Sequence, residues 1–161
     1  MIVTPLLVIF LVVVFIGIWL FVNTIDKRKW ITFLVSLVLT PVVYFYMFYP
    51  MINIFSSYHH EKHFSTKAWE ENPQLRYEMA NQILADSLLI GHSKNDVEAL
   101  LGKPEWLSWD DTLKVNSQNK WNYNLGFKPG AFNNMQECLE LQFIYNKVKS
   151  IKPYQLEKTF E

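Results

Sequence analysis

From Leu6 to Val22 every position is apolar, and 15 of these 17 residues are Val, Ile, Leu or Phe. With the residues before it, the run reaches about 20 residues, enough to cross a hydrocarbon core of roughly 30 Å. The pattern predicts a membrane helix over about residues 3–22. A second apolar run predicts another over about 31–50. Thr32, Ser36 and Thr40 interrupt it, but their hydroxyls can bond back to the helix backbone. Pro41 predicts a kink of the kind membrane helices tolerate. Trp30 at one end and Tyr44, Tyr46 and Tyr49 towards the other match aromatic belts at two interfaces. The first run has no basic region before it and no A-x-A-like site after it, so it reads as a retained helix and not a cleaved signal peptide.

Beyond residue 71 the pattern changes. Asn72-Pro73 reads as a helix start, with Asn as N-cap and Pro at the first helical position. Leu75, Met79, Ala80, Ile83, Leu84 and Ser87 then share one face, and Gly91 reads as the C-cap of that helix. Ser93 with Asp96 reads as a capping box opening a second helix, whose buried side is Val97, Leu100 and Leu101. Gly102 and Pro104 stop it. After Pro104 the period becomes two. Trp121, Tyr123 and Leu125 alternate with Asn122 and Asn124, and Leu139, Leu141, Phe143 and Tyr145 alternate with polar residues. Glu105–Val115 reads as a strand interrupted at Asp110-Asp111, and Val148–Ile151 as a short return strand after Asn146-Lys147. The fold class is therefore α+β: two transmembrane helices, then a two-layer domain of two helices packed on a three- to four-stranded antiparallel sheet. The expected organisation is a helical hairpin over 1–57 with a basic loop at 23–30, a juxtamembrane linker over 58–71, and the domain over 72–161.

Charge sharpens this division. Met1–Ile25 and Trp30–His60 contain no Asp, Glu, Lys or Arg, whereas the residues from Glu61 on hold 12 basic and 14 acidic side chains. A mean of 50% hydrophobic residues thus averages two unlike parts and excludes a purely soluble globular protein. Lys27, Arg28 and Lys29 outweigh Asp26 in the loop, so the positive-inside rule places the loop in the cytoplasm. A bacterial inner-membrane protein with both the N-terminus and the C-terminal domain in the periplasm is expected. Near-neutral charge with no basic stripe argues against nucleic acid as a partner. The single cysteine, Cys138, excludes an internal disulfide framework and a cysteine-based zinc cluster, and no cysteine near the end of the first span offers a lipid anchor.

The segment Gly91-His92-Ser93-Lys94-Asn95-Asp96-Val97-Glu98-Ala99-Leu100-Leu101-Gly102-Lys103-Pro104 follows the pattern G-x-S-x-x-D/E-V-x-x-L-L-G-x-P. With Trp121-x-Tyr123-x-Leu125-Gly126 and Leu139-x-Leu141-x-Phe143, it resembles the SmpA/OmlA (BamE-like) family over about residues 72–151. The resemblance includes neither apolar run. It implies a domain that binds other envelope proteins without catalysis; the beta-lactamase inhibitor proteins are similar in layout and are also binders. What carries over is a binding domain, and not a place in a particular complex.

Candidate chemistry is sparse. His59, His60 and His63 form an H-H-x-x-H cluster; on a helix, His59 and His63 would share a face at a spacing able to hold a divalent metal. The alternative is a polar collar at the lipid headgroups. Asp110-Asp111 could serve as an acid–base pair, but neighbours on one chain point opposite ways, and a solvated turn fits better. Ser93, His92 and Asp96 look like a hydrolase trio only until the cap accounts for the serine. Cys138, on the polar face of its strand, could be partly exposed and form an intermolecular disulfide, but a free, inert thiol fits better. The connection Gly126–Met135 is longer than a hairpin needs and carries Phe127, Phe132 and Met135, which either bind a partner or fold back to cover the sheet. Trp106 and Trp109 join it as candidate contact residues, with core packing against the helices the alternative for at least one of them.

The expectation is a membrane-anchored, non-catalytic binding protein with no cofactor, acting in cell-envelope assembly or maintenance. Its expected partners are another envelope protein or a toxin, and membrane lipid through the two spans; a homo-oligomer is also open. The alternatives are a tethered immunity protein against a secreted toxin and a metal-dependent hydrolase built on the histidines.

Overall fold

The computed structural model describes residues 1–158. It divides into two compact units: Ile2–Tyr58 with Pro129–Ala131, and Met1 with His59–Lys128 and the chain from Phe132 on.

The first unit is built on two helices long and apolar enough to cross a membrane. Helix α1 spans Pro5–Ile25, with Thr4 capping it by accepting the Leu7 N–H. The second helical run covers residues 29–55, longer than the expected 31–50. It starts as α2 (Lys29–Val43), passes through a π-helical turn (Tyr44–Phe48) and ends as α3 (Tyr49–Phe55). Pro41 has no N–H to give and its ring crowds the preceding turn, so the ladder is broken there and rejoins through the wider turn that follows. Thr32, Ser36, Thr40 and Tyr44 recur every fourth residue and all four are buried. The Ser36 and Thr40 hydroxyls donate to the carbonyls of Thr32 and Ser36, each at 2.7 Å. The polarity of these short side chains is satisfied within the run, and Tyr44 at the end of the stripe packs with Leu7 and Val14 of α1. Phe15 and Phe33 add an edge-on ring contact at 5.6 Å.

The second unit is α+β. Helix α4 (Thr66–Glu71) comes first, then a 3₁₀ turn (Pro73–Leu75), α5 (Tyr77–Ala85) and α6 (Lys94–Leu101). An antiparallel meander follows, four strands among the described residues: β1 (Trp106–Asp110), β2 (Val115–Phe127), β3 (Met135–Ile144) and β4 (Lys147–Glu157). Trp121, Tyr123, Leu125, Leu139, Leu141 and Phe143 fill the core from the sheet, against Met79, Ile83, Val97 and Leu101 from the helices. The capping box forms as the sequence predicts: the Ser93 hydroxyl accepts from the Asp96 N–H and the Asp96 carboxylate accepts from the Ser93 N–H.

Three local expectations need correction. The segment expected to be a linker over 58–71 supplies Trp69, which is fully buried, donates its indole N–H to the Leu101 carbonyl at 3.0 Å, and lies under the Arg76 guanidinium. The helix expected from Asn72 to Gly91 is shorter at both ends. Its start is a 3₁₀ turn because the Gln74 backbone sits directly against β2 at Gly126. Its end is a Schellman motif in which Ser87, at φ 49°, takes the left-handed position usually held by glycine. The Leu88 N–H reaches Ile83 and the Ser87 N–H reaches Leu84. The turn then aims Leu89 into the core, and Gly91 and His92 bond to Val148 of β4. Finally, Asp111–Lys114 form the turn between two separate strands, and β2 is longer than expected.

Candidate partner-binding surface

The β1–β2 ribbon outruns the rest of the sheet. Pairing of β2 with β3 starts at Lys120–Gln142, whereas Val115 and Asn116 pair only with Asp110 and Trp109 of β1. Its turn is set by Asp110, whose carboxylate accepts the N–H groups of Thr112 and Leu113 at 2.9 and 3.1 Å. These bonds, Leu113's first, hold the Asp110 carboxyl below the usual carboxylate range. Asp110 is therefore a turn former, as the solvated-turn reading of Asp110-Asp111 expects, and not half of an acid–base pair. Around it Trp109 is 54% exposed, Leu113 69% and Val115 52%. Opposed pairs point to the same face of a ribbon, so Val115 lies with Asp110 and Trp109 lies on the other side. Apolar side chains thus stand in solvent on both faces of a narrow ribbon. The β3–β4 turn lies at the same end of the meander and leaves Tyr145 97% exposed.

The five residues expected to bind a partner do not form one surface. Phe127 closes β2 and Met135 opens β3, both half-buried, while Phe132 on the loop between them is 94% exposed. The loop is braced internally, with the Asn133 amide donating to the Lys128 carbonyl at 2.7 Å and the Asn133 side-chain oxygen accepting the Met135 N–H. Trp109 pairs with Asn116, far along β2 from Phe127 and about 35 Å away at strand rise. Trp106 pairs with Asn122 on the sheet face turned away from the helices and is half-buried. It belongs to an internal polar network there. The Asn122 side chain, fully buried, donates to Ser108 at 2.9 Å and accepts from the Tyr154 hydroxyl at 2.8 Å; Ser108 in turn donates to Glu140. Burial pushes the Tyr154 hydroxyl up to about 12.

Cys138 lies in this layer as a free thiol and is completely buried, so the partial exposure that an intermolecular disulfide needs is absent. Tyr154 faces it from β4, and burial raises its thiol to about 11. An intermolecular disulfide has no access to it. The sequence pattern places Cys138 on the polar face correctly, but that face is covered.

The histidines do not assemble a metal centre. Residues 56–65 are not helical, so His59 and His63 lose the shared face that the metal reading requires. His60 is buried, His59 is half-buried with its ring 5.0 Å from that of Tyr77, and His63 is exposed. Among the described residues no three His, Cys, Asp or Glu side chains converge in a group able to hold a metal. Other charges are used structurally. Arg76 donates to the Trp69 carbonyl at 2.8 Å and to Glu105 at 2.6 Å, and Glu137 receives Gln155 at 2.7 Å and Lys128 at 3.3 Å. Sequence reasoning missed Leu113, Val115 and Tyr145 as surface features. The available signal was two large apolar residues flanking Lys114 just after Asp110-Asp111-Thr112, where a turn should be polar. No family model matches the chain, and no curated protein or solved structure matches it either.

Proposed function

We propose that this chain is a two-pass protein of the bacterial inner membrane that holds its α+β domain in the periplasm. The N-terminus lies on the same side, and the domain binds another cell-envelope protein without catalysing a reaction, as an assembly or maintenance factor does. A kinship with the SmpA/OmlA (BamE-like) domain is part of this proposal and rests on the residue 91–104 pattern and the helices-then-meander order. The observation that carries the binding role is the free β1–β2 ribbon with Trp109, Leu113 and Val115 in solvent. Clustered exposed apolar residues are costly on a solitary domain and useful at an interface, where aromatic anchors supply most of the binding energy.

The test is a photo-reactive residue at position 113 of the full chain in living cells, with position 132 tested in parallel. The expected result is a discrete crosslinked envelope protein at 113, which mass spectrometry identifies, which copurifies reciprocally and which Trp109→Ser removes. Capture of lipid alone at both positions overturns the binding role. Orientation is read separately: alkaline phosphatase fused to the C-terminus should be active and green fluorescent protein dark, and the opposite result places the domain in the cytoplasm.

A further inference from the structure

The residues His59–Phe64 run alongside α5 and are fastened to it at several points. The Lys62 N–H donates to the Glu78 carbonyl at 2.8 Å, and the Lys62 ammonium sits 2.6 Å from the Glu78 carboxylate. The Phe64 N–H is accepted by the Gln82 side chain, and the Asn81 amide donates to Glu61 at 3.0 Å. His59 packs edge-on against Tyr77, and its Nδ1 is buried without a hydrogen-bond partner; His60 beside it is 9% exposed. Two neighbouring imidazoles are therefore enclosed by the contacts that hold this segment down.

We propose that His59–Phe64 is an acid-releasable strap, held on α5 at neutral pH and freed when protons are taken up at His59 and His60. The charges around the pair explain why protonation and the strapped state conflict. A hydrogen bond to the His60 backbone, then Glu78 on α5 and Glu61 on the strap, favour an imidazolium at His59, and Glu78 favours one at His60, but Glu78 is already engaged by Lys62. Lys128 at the end of β2 opposes charge on His59; Lys62, the amino terminus and His59 itself oppose it on His60. Burial is the largest influence on both and holds them below the ordinary histidine value. Above about pH 6.5 both imidazoles are neutral whether strapped or free, so the strap is at full strength. As pH falls below that value the freed segment binds protons that the strapped one refuses, so release becomes easier until the strapped histidines themselves titrate.

The experiment is amide hydrogen exchange by NMR on the full chain in lipid nanodiscs at pH 7 and pH 5, corrected for the intrinsic pH dependence of exchange. Protection at the Lys62 and Phe64 amides is expected to fall by about tenfold or more at pH 5, while strand amides at Tyr123 and Leu141 keep theirs. The double variant His59→Gln, His60→Gln should lose the pH dependence, and the exposed-site variant His63→Gln should keep it. Should the double variant be unstrapped at both pH values, the titration of the wild-type imidazoles decides. Midpoints below about 6.5 that coincide with the loss of protection support the strap. Protection that is insensitive to pH, midpoints at or above that value, or a pH-dependent loss that survives in the double variant overturns it.

Discussion

An alanine at position 126 would place a Cβ 2.2 Å from the carbonyl oxygen of Gln74, 2.7 Å from its carbonyl carbon and 3.0 Å from its Cα. These are backbone atoms of the Pro73–Leu75 turn, so no side-chain rotation relieves the clash and the turn itself must shift. The backbone at Gly126 is also left-handed, at φ 90°, where a side chain costs about 1–2 kcal/mol. Overpacking adds about 1–3 kcal/mol, so Gly126→Ala should cost about 3–4 kcal/mol of domain stability. Gly91→Ala is the control. Its φ is 83°, but nothing lies within 4 Å of the added Cβ, so only the backbone strain of about 1–2 kcal/mol remains. Pulse proteolysis of the full chain, equilibrated in urea and a mild detergent, measures both. With a slope of about 1.5 kcal/mol per molar, the Gly126→Ala midpoint should drop by about 2 M and that of Gly91→Ala by about 1 M. Equal drops would refute the close approach of the turn to β2, leaving only the shared backbone strain.

Other consequences follow from the same geometry. Arg76→Ala removes a buried guanidinium that holds the Trp69 carbonyl, Glu105 and the Asn124 carbonyl, and should cost about 3 kcal/mol in the same assay; a loss under about 1 kcal/mol would contradict its role as a tie between α4 and the sheet. Cys138, with its thiol near 11, presents about one thiolate in a thousand at pH 8. Iodoacetamide should accordingly leave it unmodified in the folded chain and alkylate it in urea, and fast labelling of the folded chain would contradict its burial. Ser36→Leu should separate α1 from α2, since a bulky side chain replaces a fully buried hydroxyl residue. A short bifunctional thiol crosslinker should bridge Phe15→Cys and Phe33→Cys, whose parent rings lie 5.6 Å apart, and fail to do so with Ser36→Leu; efficient bridging in both would dismiss the stripe as the packing seam.

The parts of this protein that depend on neighbours in sequence could be read without coordinates. The absence of charge over residues 1–25 and 30–60 dictates two long apolar helices, because no polar face exists for a soluble helix to present. The capping box at Ser93 and the period-two runs of β2 and β3 are equally local, so α6 and the middle of the sheet were legible. Contacts between distant residues were not. Trp69 looks like a lone aromatic in a charged stretch until α6 and the sheet close over it. Ser87 ends α5 in a glycine's conformation because Leu89 and Gly91 have places to occupy in the core and on β4. Asn122, Glu140 and Cys138 follow the polar alternation of their strands, yet Trp106 and Tyr154 enclose that face, and no pattern within one strand carries this information. The candidate site shows the same division: the exposure of Phe132 follows from a loop with surplus length, whereas the separation of Trp109 from it follows from strand register. Periodicity reports which side of an element is apolar. Whether either side is covered, and by what, is settled only when elements far apart in the chain are brought together.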